Sequence, residues 1–333
     1  MRAVVTITLL GLALISGRMN KPDMEILGET TLMGLRQVLG EELPRDYRSD
    51  TDSTMVRMGY DLVHEGRTQK DGRQTTYISR FYSCTSCHNV EREDADLTRI
   101  DPDSRLEWAI ANDLRYLPAS TFWGVVNRTQ WYNDDYEQKY GSLVDAARND
   151  LVESMQLCAQ ECSQGRMMED WEVESMLHYF STLEVELEDL GISGADAEVL
   201  RYGKLSNEGK LGILDSYFLP RSPAHVGEVP ADKKAGYGIE GRAGKGKAVY
   251  ELGCQSCHQA GGESDLVLDD SKKTFRWLKR NITKDDRYSL YEIIRKGTYA
   301  EYGHREYMPF YTLEKLSNQQ VEDLRAYIEK MAD

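Results

Sequence analysis

The chain of 333 residues is poor in cysteine, in basic residues and in long apolar runs. Its six cysteines are too few for a disulfide-stabilised scaffold of this length. Lys and Arg number 41 against 56 Asp and Glu, a net charge of −15 that disfavours nucleic-acid binding and favours basic partners. The apolar run over residues 3–15 is shorter than the roughly 20 residues that cross a bilayer as a helix. These shortages exclude a disulfide-rich domain and an integral membrane bundle, and they disfavour a nucleic-acid binder.

The remaining composition is that of a soluble globular protein, with 40% apolar and 29% charged residues. The length suits two domains. Arg2, the apolar residues 3–15 and then Ser16-Gly17 have the layout of an export signal. A buried helix over residues 1–17 is the alternative. We expect an exported protein, periplasmic in a bacterium, that can associate with a membrane through a partner.

A five-residue pattern occurs twice, as Cys84-Thr-Ser-Cys87-His88 and as Cys254-Gln-Ser-Cys257-His258. Cysteines three positions apart can each form a thioether with a vinyl group of haem, and the adjacent histidine can bind the iron. A zinc site built from the two cysteine pairs and a thioredoxin-like redox pair are the alternatives. Neither explains a histidine directly after both pairs. We predict two covalently bound haem c groups, attached at Cys84, Cys87, Cys254 and Cys257, with His88 and His258 as proximal iron ligands.

The two halves also end in the same amphipathic pattern. Residues 173–180 (VESMLHYF) align with residues 321–328 (VEDLRAYI), with apolar residues at i, i+3, i+6 and i+7. A helix is predicted before each motif, around Gly59 and around Gly246, where a glycine allows two backbones to approach at a crossing. This order of elements resembles the class I cytochrome c family. The resemblance covers residues 50–190 and 235–333 and implies an all-α fold of two tandem cytochrome c domains.

The boundary between the halves is marked by composition. Pro220, Pro223 and Pro230 are followed by a glycine-rich stretch over residues 236–246, as in a linker. We therefore predict an export signal at 1–17, an N-terminal extension at 18–50, cytochrome c domain 1 at 51–190, a linker at 191–243 and cytochrome c domain 2 at 244–333.

A distal ligand for the second haem is suggested by Met308, which is followed by Pro309 and then by a predicted helix N-cap at Ser317. In the cytochrome c family a Met-Pro at this place brings a thioether to iron, and Met/His ligation raises the reduction potential. We therefore expect Met308 as the distal ligand of haem 2. Packing of Met308 in the core without ligation, and ligation by His304, are the alternatives.

The first half has cysteines where the second has Met308. When the two final helices are aligned, the equivalent of Met308 is Gln160, between Cys158 and Cys162. A cysteine thiolate is a haem ligand that lowers the potential relative to methionine. Residues 151–166 resemble the distal segment of the dihaem thiosulfate dehydrogenase family, which implies Cys158 as distal ligand of haem 1 and as the catalytic residue of an enzyme. That family has no cysteine at the position of Cys162.

Other assignments remain open for this segment. In an oxidising compartment Cys158 and Cys162 can form a disulfide, which would leave Met155, Met167 or Met168 as the distal ligand. A disulfide inside a regular helix is geometrically awkward. Ligation by Cys162, or an open coordination position, completes the alternatives.

Two further clusters stand out in the sequence. Trp123, Arg128, Trp131 and Tyr132 follow the first motif and can seat a small anion beside iron, or pack around a haem edge with Arg128 on a propionate. Residues 272–280 contain five basic residues around Trp277, which indicates a docking face or a solvated helix face.

These features favour an electron carrier over an enzyme. We expect a dihaem c-type cytochrome that transfers single electrons between periplasmic redox partners, or a subunit of a respiratory complex. Its partners are expected to be redox proteins with basic docking surfaces. The alternative is a thiosulfate dehydrogenase-like oxidoreductase, with catalysis at haem 1 on thiosulfate or a related sulfur compound. A dihaem peroxidase is disfavoured because the two C-x-x-C-H patterns are its only matching feature.

Overall fold

The structure is a computed structural model that describes residues 30–221, 223–298 and 307–333. The predicted export signal and His304 lie outside these residues. The described chain is mostly helical, as the all-α prediction requires. None of its described helices combines the length and the apolar character needed to cross a membrane.

Most helices are short and are joined by loops. The α-helices of the described residues are α1 (Leu32–Val38), α2 (Ser53–Glu65), α3 (Pro102–Asn112), α4 (Glu137–Tyr140), α5 (Val144–Ala147), α6 (Leu151–Leu157), α7 (Asp170–Ser181), α8 (Gly194–Tyr202), α9 (Asn207–Asp215), α10 (Ala243–Ala248), α11 (Gln255–His258), α12 (Lys272–Ile282), α13 (Leu290–Lys296) and α14 (Asn318–Ala332). Helices α6 and α10 continue into π-helical turns at Cys158–Cys162 and Val249–Cys254. Strands β1 (Gln69–Lys70) and β2 (Arg73–Gln74) form a small antiparallel hairpin.

Two pairs of helices cross at a glycine. Helix α2 packs on α7 at Gly59, where an added Cβ would lie 2.1 Å from the carbonyl oxygen of Ser175. Helix α10 packs on α14 at Gly246, where an added Cβ would lie 1.9 Å from the carbonyl oxygen of Asp323. No side chain fits at such distances, so each crossing requires glycine. The predicted amphipathic helices and their glycine crossings are confirmed.

In the part of the chain that the structure describes, buried apolar side chains form three clusters. The first surrounds the crossing of α2 and α7 and includes Leu62 and Phe180. The second surrounds the crossing of α10 and α14, and it also contains Leu106 and Ala109 of α3 together with Tyr116. The sequence assigned these last three residues to the first domain. The segment after the first motif therefore packs on the second core, which brings the two halves of the chain together.

The third cluster involves the predicted extension and linker. Leu32 and Leu35 of α1 pack with Leu200 of α8 and Leu214 of α9. The predicted linker at 191–243 therefore contains two helices that help to form a core, which its proline and glycine content did not indicate.

Candidate functional site

The first C-x-x-C-H motif begins in a 3-10 turn at Cys84–Ser86, and His88 follows it at the wall of a large cavity. Nδ1 of His88 lies 2.5 Å from the carbonyl oxygen of Ser120. Because a carbonyl can only accept, Nδ1 donates, and Nε2 carries the lone pair that a metal ion needs. Burial lowers the pKa of His88 to about 4, which keeps the imidazole neutral.

The cavity beside this motif contains about 1440 Å³ of empty space, part of it open to solvent. Its walls are largely apolar, and the ring of Phe122 stacks on His88 with the ring centroids 4.2 Å apart. Among the described residues, no three His, Cys, Asp or Glu side chains converge to hold one metal ion. A large apolar cavity beside two cysteines and a neutral histidine fits a haem group.

Helix α6 and its π-helical turn form a further wall of this cavity. The residues of this segment that line it include Met155, Cys158, Ala159 and Cys162. Met168, which follows the turn, is buried and also lines the cavity. Met167 is 59% exposed and is not part of the lining. The structure thus brings both cysteines and Met155 to the same cavity as His88, and places Met167 away from it.

Cys158 and Cys162 lie on this wall as unpaired cysteines, like the other four cysteines of the chain. The hydroxyl oxygens of Tyr140 and Tyr132 lie 3.3 and 3.9 Å from Cys162 Sγ. The interaction between the two neighbouring thiols raises the pKa of Cys158 and lowers that of Cys162 to about 7. The tyrosine hydroxyls and the charge of Lys139 also lower the pKa of Cys162. The sequence resemblance singled out Cys158, and Cys162 lines the same cavity.

Lys139 was missed by the sequence analysis. Its Nζ is buried and has no hydrogen-bond partner among the described residues. It lies 4.3 Å from the ring centroid of Phe310 and 5.4 Å from that of Tyr307, two residues that line the cavity. Burial lowers the pKa of Lys139 to about 8. Position 139 lies far from 307 and 310 in the chain, so no spacing in the sequence could indicate this contact.

The aromatic and basic cluster predicted after the first motif is divided between two cavities. Arg128, Trp131 and Tyr132 line the large cavity, whereas Trp123 lines a smaller neighbouring one. Arg128 lines both. Burial lowers the pKa of Arg128, and its Nη2 donates a long hydrogen bond of 3.5 Å to the carbonyl oxygen of Trp123. Arg128 is thus placed to bind an acidic group at the edge of the large cavity.

The second motif lies where α10 and its π-helical turn end. Cys254 is the last residue of that turn, and Cys257 lies on α11. Nδ1 of His258 donates a hydrogen bond to the carbonyl oxygen of Leu266 at 2.9 Å, so Nε2 is again available to a metal ion. Leu266 and Val267 beside it are 46% and 45% exposed. This adjacent apolar pair is a surface that a bound apolar group would cover.

Met308 is partly buried and packs against the second cluster, as does Cys254. Its backbone N–H donates to Oγ1 of Thr298 at 2.7 Å, and its carbonyl oxygen accepts from the N–H of Thr298 at 2.9 Å. The hydroxyl of Ser317 accepts the N–H of Gln320 at 3.2 Å, so the predicted N-cap is confirmed. Met308 therefore shares a core with the second motif.

The two motifs are in contact. Sγ of Cys257 lies 3.9 Å from the carbonyl oxygen of Ser86. Arg115 links them further, because its guanidinium donates to the carbonyl oxygen of Thr85 and forms an ion pair with Glu263 at 3.4 Å. Two C-x-x-C-H motifs that are far apart in the sequence thus lie side by side in the fold.

Comparison with known proteins gives a match for the second half. Residues 243–332 match the family model described as Cytochrome c. This range begins with α10, ends with α14 and contains the second motif and Met308. No curated protein and no solved structure matches the chain significantly. Residues 243–332 are therefore a cytochrome c domain, a domain of the family that binds haem c covalently and serves in electron transfer.

Proposed function

We propose that the chain is a dihaem c-type cytochrome that transfers single electrons between redox partners. Haem c attached to a motif supplies an iron that accepts and releases one electron. The observation that carries this proposal is the contact between the motifs, with Sγ of Cys257 lying 3.9 Å from the carbonyl oxygen of Ser86. Attachment sites in contact allow electrons to pass within the chain without a mobile carrier.

The proposal includes two tandem haem domains, the second of which is the matched cytochrome c domain. It is supported by the two glycine crossings, of Gly59 on Ser175 and of Gly246 on Asp323. When the final helices are aligned, Ser175 and Asp323 are equivalent positions. The first half therefore repeats the helix contact of the cytochrome c domain. We propose boundaries at 51–190 and 244–333, with α3 of the first half packed on the second core.

The chain offers a full set of residues for each haem. Cys84, Cys87, Cys254 and Cys257 would attach the two groups. His88 and His258 would bind iron through Nε2, held in orientation by Ser120 and Leu266. Met308 would be the distal ligand of haem 2, and the wall containing Met155, Cys158 and Cys162 would supply that of haem 1.

The compartment and the partners follow from the sequence. Residues 1–17 lie outside the described residues, and their pattern supports export, to the periplasm in a bacterium. The net charge of −15 supports redox partners with basic docking surfaces. The same properties suit a cytochrome subunit of a larger respiratory complex.

A haem count tests the dihaem proposal. We expect two covalently attached haems in the mature protein, measured by mass spectrometry and by the pyridine haemochrome spectrum. Replacing Cys84 and Cys87 by alanine should remove one haem, and replacing Cys254 and Cys257 should remove the other. A wild-type protein with one haem would contradict the proposal.

A thiosulfate dehydrogenase-like enzyme is the second candidate, and the observation that favours it is the position of Cys158 in the cavity that His88 also lines. In that reaction two thiosulfate ions are joined by a sulfur–sulfur bond to tetrathionate, and two electrons are released to the haem irons. Adding thiosulfate to the oxidised holoprotein should then reduce haem in the wild type and not in a Cys158→Ala variant. If neither protein responds while a chemical reductant reduces both haems, the protein is a carrier.

A further inference from the structure

Tyr82 joins the first half of the chain to the segment that carries Met308. Its hydroxyl donates a hydrogen bond to the carbonyl oxygen of Tyr307 and accepts one from the backbone N–H of the same residue, both at 2.6 Å. The two rings also meet edge to face, with their centroids 6.1 Å apart. Two hydrogen bonds and a ring contact thus fix the backbone directly before Met308.

The second half of the chain holds Met308 itself. The N–H of Thr298 donates to the carbonyl oxygen of Met308 at 2.9 Å, and the hydroxyl of Thr298 accepts the N–H of Met308 at 2.7 Å. Gly297 precedes Thr298 with a φ of +68°, and an added Cβ there would lie 2.5 Å from the carbonyl oxygen of Met308. The backbone of Met308 is therefore held by its own half, whereas that of Tyr307 is held by Tyr82 from the other half.

The segment around Met308 borders both motifs. The residues on either side of it, Tyr307 and Pro309, line the cavity beside the first motif. The side chain of Met308 instead packs with Cys254 against the second cluster. Neighbouring residues of one segment therefore face different sites, and a contact that fixes Tyr307 also restricts where Met308 can lie.

We propose that Tyr82 is a positioning residue for haem 2, which holds Met308 at the iron from the other half of the chain. The inference rests on the proposed function, with Met308 as the distal ligand. Tyr82 precedes Cys84 by two positions and lines the cavity of the first motif, so the segment that attaches haem 1 also restrains the ligand of haem 2. A methionine whose backbone is already fixed beside the iron loses less conformational freedom when it binds, which strengthens the bond.

Competition with imidazole tests this role, because imidazole binds ferric haem 2 only when Met308 leaves the iron. The titration of the oxidised holoprotein is followed by the Met–iron charge-transfer absorption, and the part of this absorption that Met308→His removes reports haem 2. Tyr82→Phe keeps the ring and removes both hydrogen bonds to Tyr307. Met308 should then be displaced more readily, and imidazole should bind haem 2 about tenfold more tightly than in the wild type.

Tyr217 provides a matched control. Its hydroxyl donates to Asp196 at 2.6 Å and accepts the backbone N–H of Ser193 at 3.0 Å, and its ring packs against the third cluster. Tyr217→Phe therefore also loses one donated and one accepted hydrogen bond, but in a contact without residues of the Met308 segment. We expect its imidazole affinity to equal that of the wild type.

Equal imidazole affinity in the wild type and in Tyr82→Phe would overturn this role, and a loss of stability alone would mean that Tyr82 only joins the halves. Equal gains in Tyr82→Phe and Tyr217→Phe would also overturn it, because general loosening of the fold would explain both. If Met308→His leaves the absorption unchanged, Met308 is not the ligand and the role of Tyr82 is overturned with it. A haem count of two in the same preparations would still leave the dihaem function standing, whereas a count of one would contradict that function.

Discussion

Lys315 donates a hydrogen bond of 3.1 Å to the carboxylate of Glu93, and both side chains are buried. Glu93 follows the first motif, whereas Lys315 belongs to the cytochrome c domain. Arg105 of α3 donates to the same carboxylate at 3.0 Å and to the carbonyl oxygen of Leu117 at 2.9 Å. One carboxylate thus binds two cations that come from different halves of the chain.

Replacing Glu93 should be strongly destabilising. Glu93→Ala leaves Arg105 and Lys315 buried without their counter-ion, and we expect a loss of about 3–5 kcal/mol in the free energy of unfolding. Chemical denaturation of the oxidised holoprotein measures it. Glu198 is exposed on α8, and Glu198→Ala should change the free energy of unfolding by about 0.5 kcal/mol or less. A Glu93→Ala loss no larger than that of this control would show that the ion pairs contribute little.

The same carboxylate predicts how stability depends on pH. Burial raises the pKa of Glu93, but the charges of Arg105 and Lys315 outweigh it and lower the pKa to about 2, from an ordinary value of 4.5. The pKa of Glu93 is lower in the folded chain than in the unfolded chain. The ionised carboxylate therefore stabilises the fold fully above about pH 4.5, and this stabilisation is lost as the pH falls toward 2. The stability difference between wild type and Glu93→Gln should therefore shrink over this range in denaturation experiments. A difference that stays constant with pH would refute this prediction.

The sequence predicted what depends on local spacing. The C-x-x-C-H motifs, the paired amphipathic helices and the cap at Ser317 each involve neighbouring residues with a recognisable pattern. The crossings at Gly59 and Gly246 could also be predicted, because a glycine within a helical pattern marks close backbone approach.

Features that join distant segments could not be predicted in this way. The contacts of Lys139 with Phe310, and of Glu93 with Lys315, depend on how the halves pack, and no periodicity encodes them. Helix α8 is a different case. The hydroxyl of Ser193 accepts a hydrogen bond from the backbone N–H of Asp196 at the start of this helix. Ser-x-x-Asp is a helix-start pattern, so the sequence did contain a signal for this helix. The prolines and glycines that follow it favoured a linker instead.

The helix crossings predict the effect of adding one methyl group. Gly59→Ala and Gly246→Ala place a Cβ about 2 Å from the carbonyl oxygens of Ser175 and Asp323, so the helices must separate. We expect each variant to lose about 1–3 kcal/mol in the free energy of unfolding. Gly212 on α9 is the matched control because nothing lies within 4 Å of its Cβ position. Gly212→Ala should be neutral or stabilising, since alanine favours a helix by about 1 kcal/mol over glycine. Equal effects at all three positions would contradict the close crossings.

Replacing Met308 should change the reduction potential of one haem only. If its thioether binds the iron of haem 2, Met308→His replaces sulfur by imidazole nitrogen and should lower the reduction potential of that haem, because Met ligation raises it. Spectroelectrochemical titration of the holoprotein should then show one potential moved and the other retained, with loss of the Met–iron charge-transfer absorption. Met331 lies on α14 and is 37% exposed, so Met331→His should leave both potentials unchanged. Two unchanged potentials in Met308→His would mean that Met308 only packs in the core and that another residue completes the coordination of haem 2.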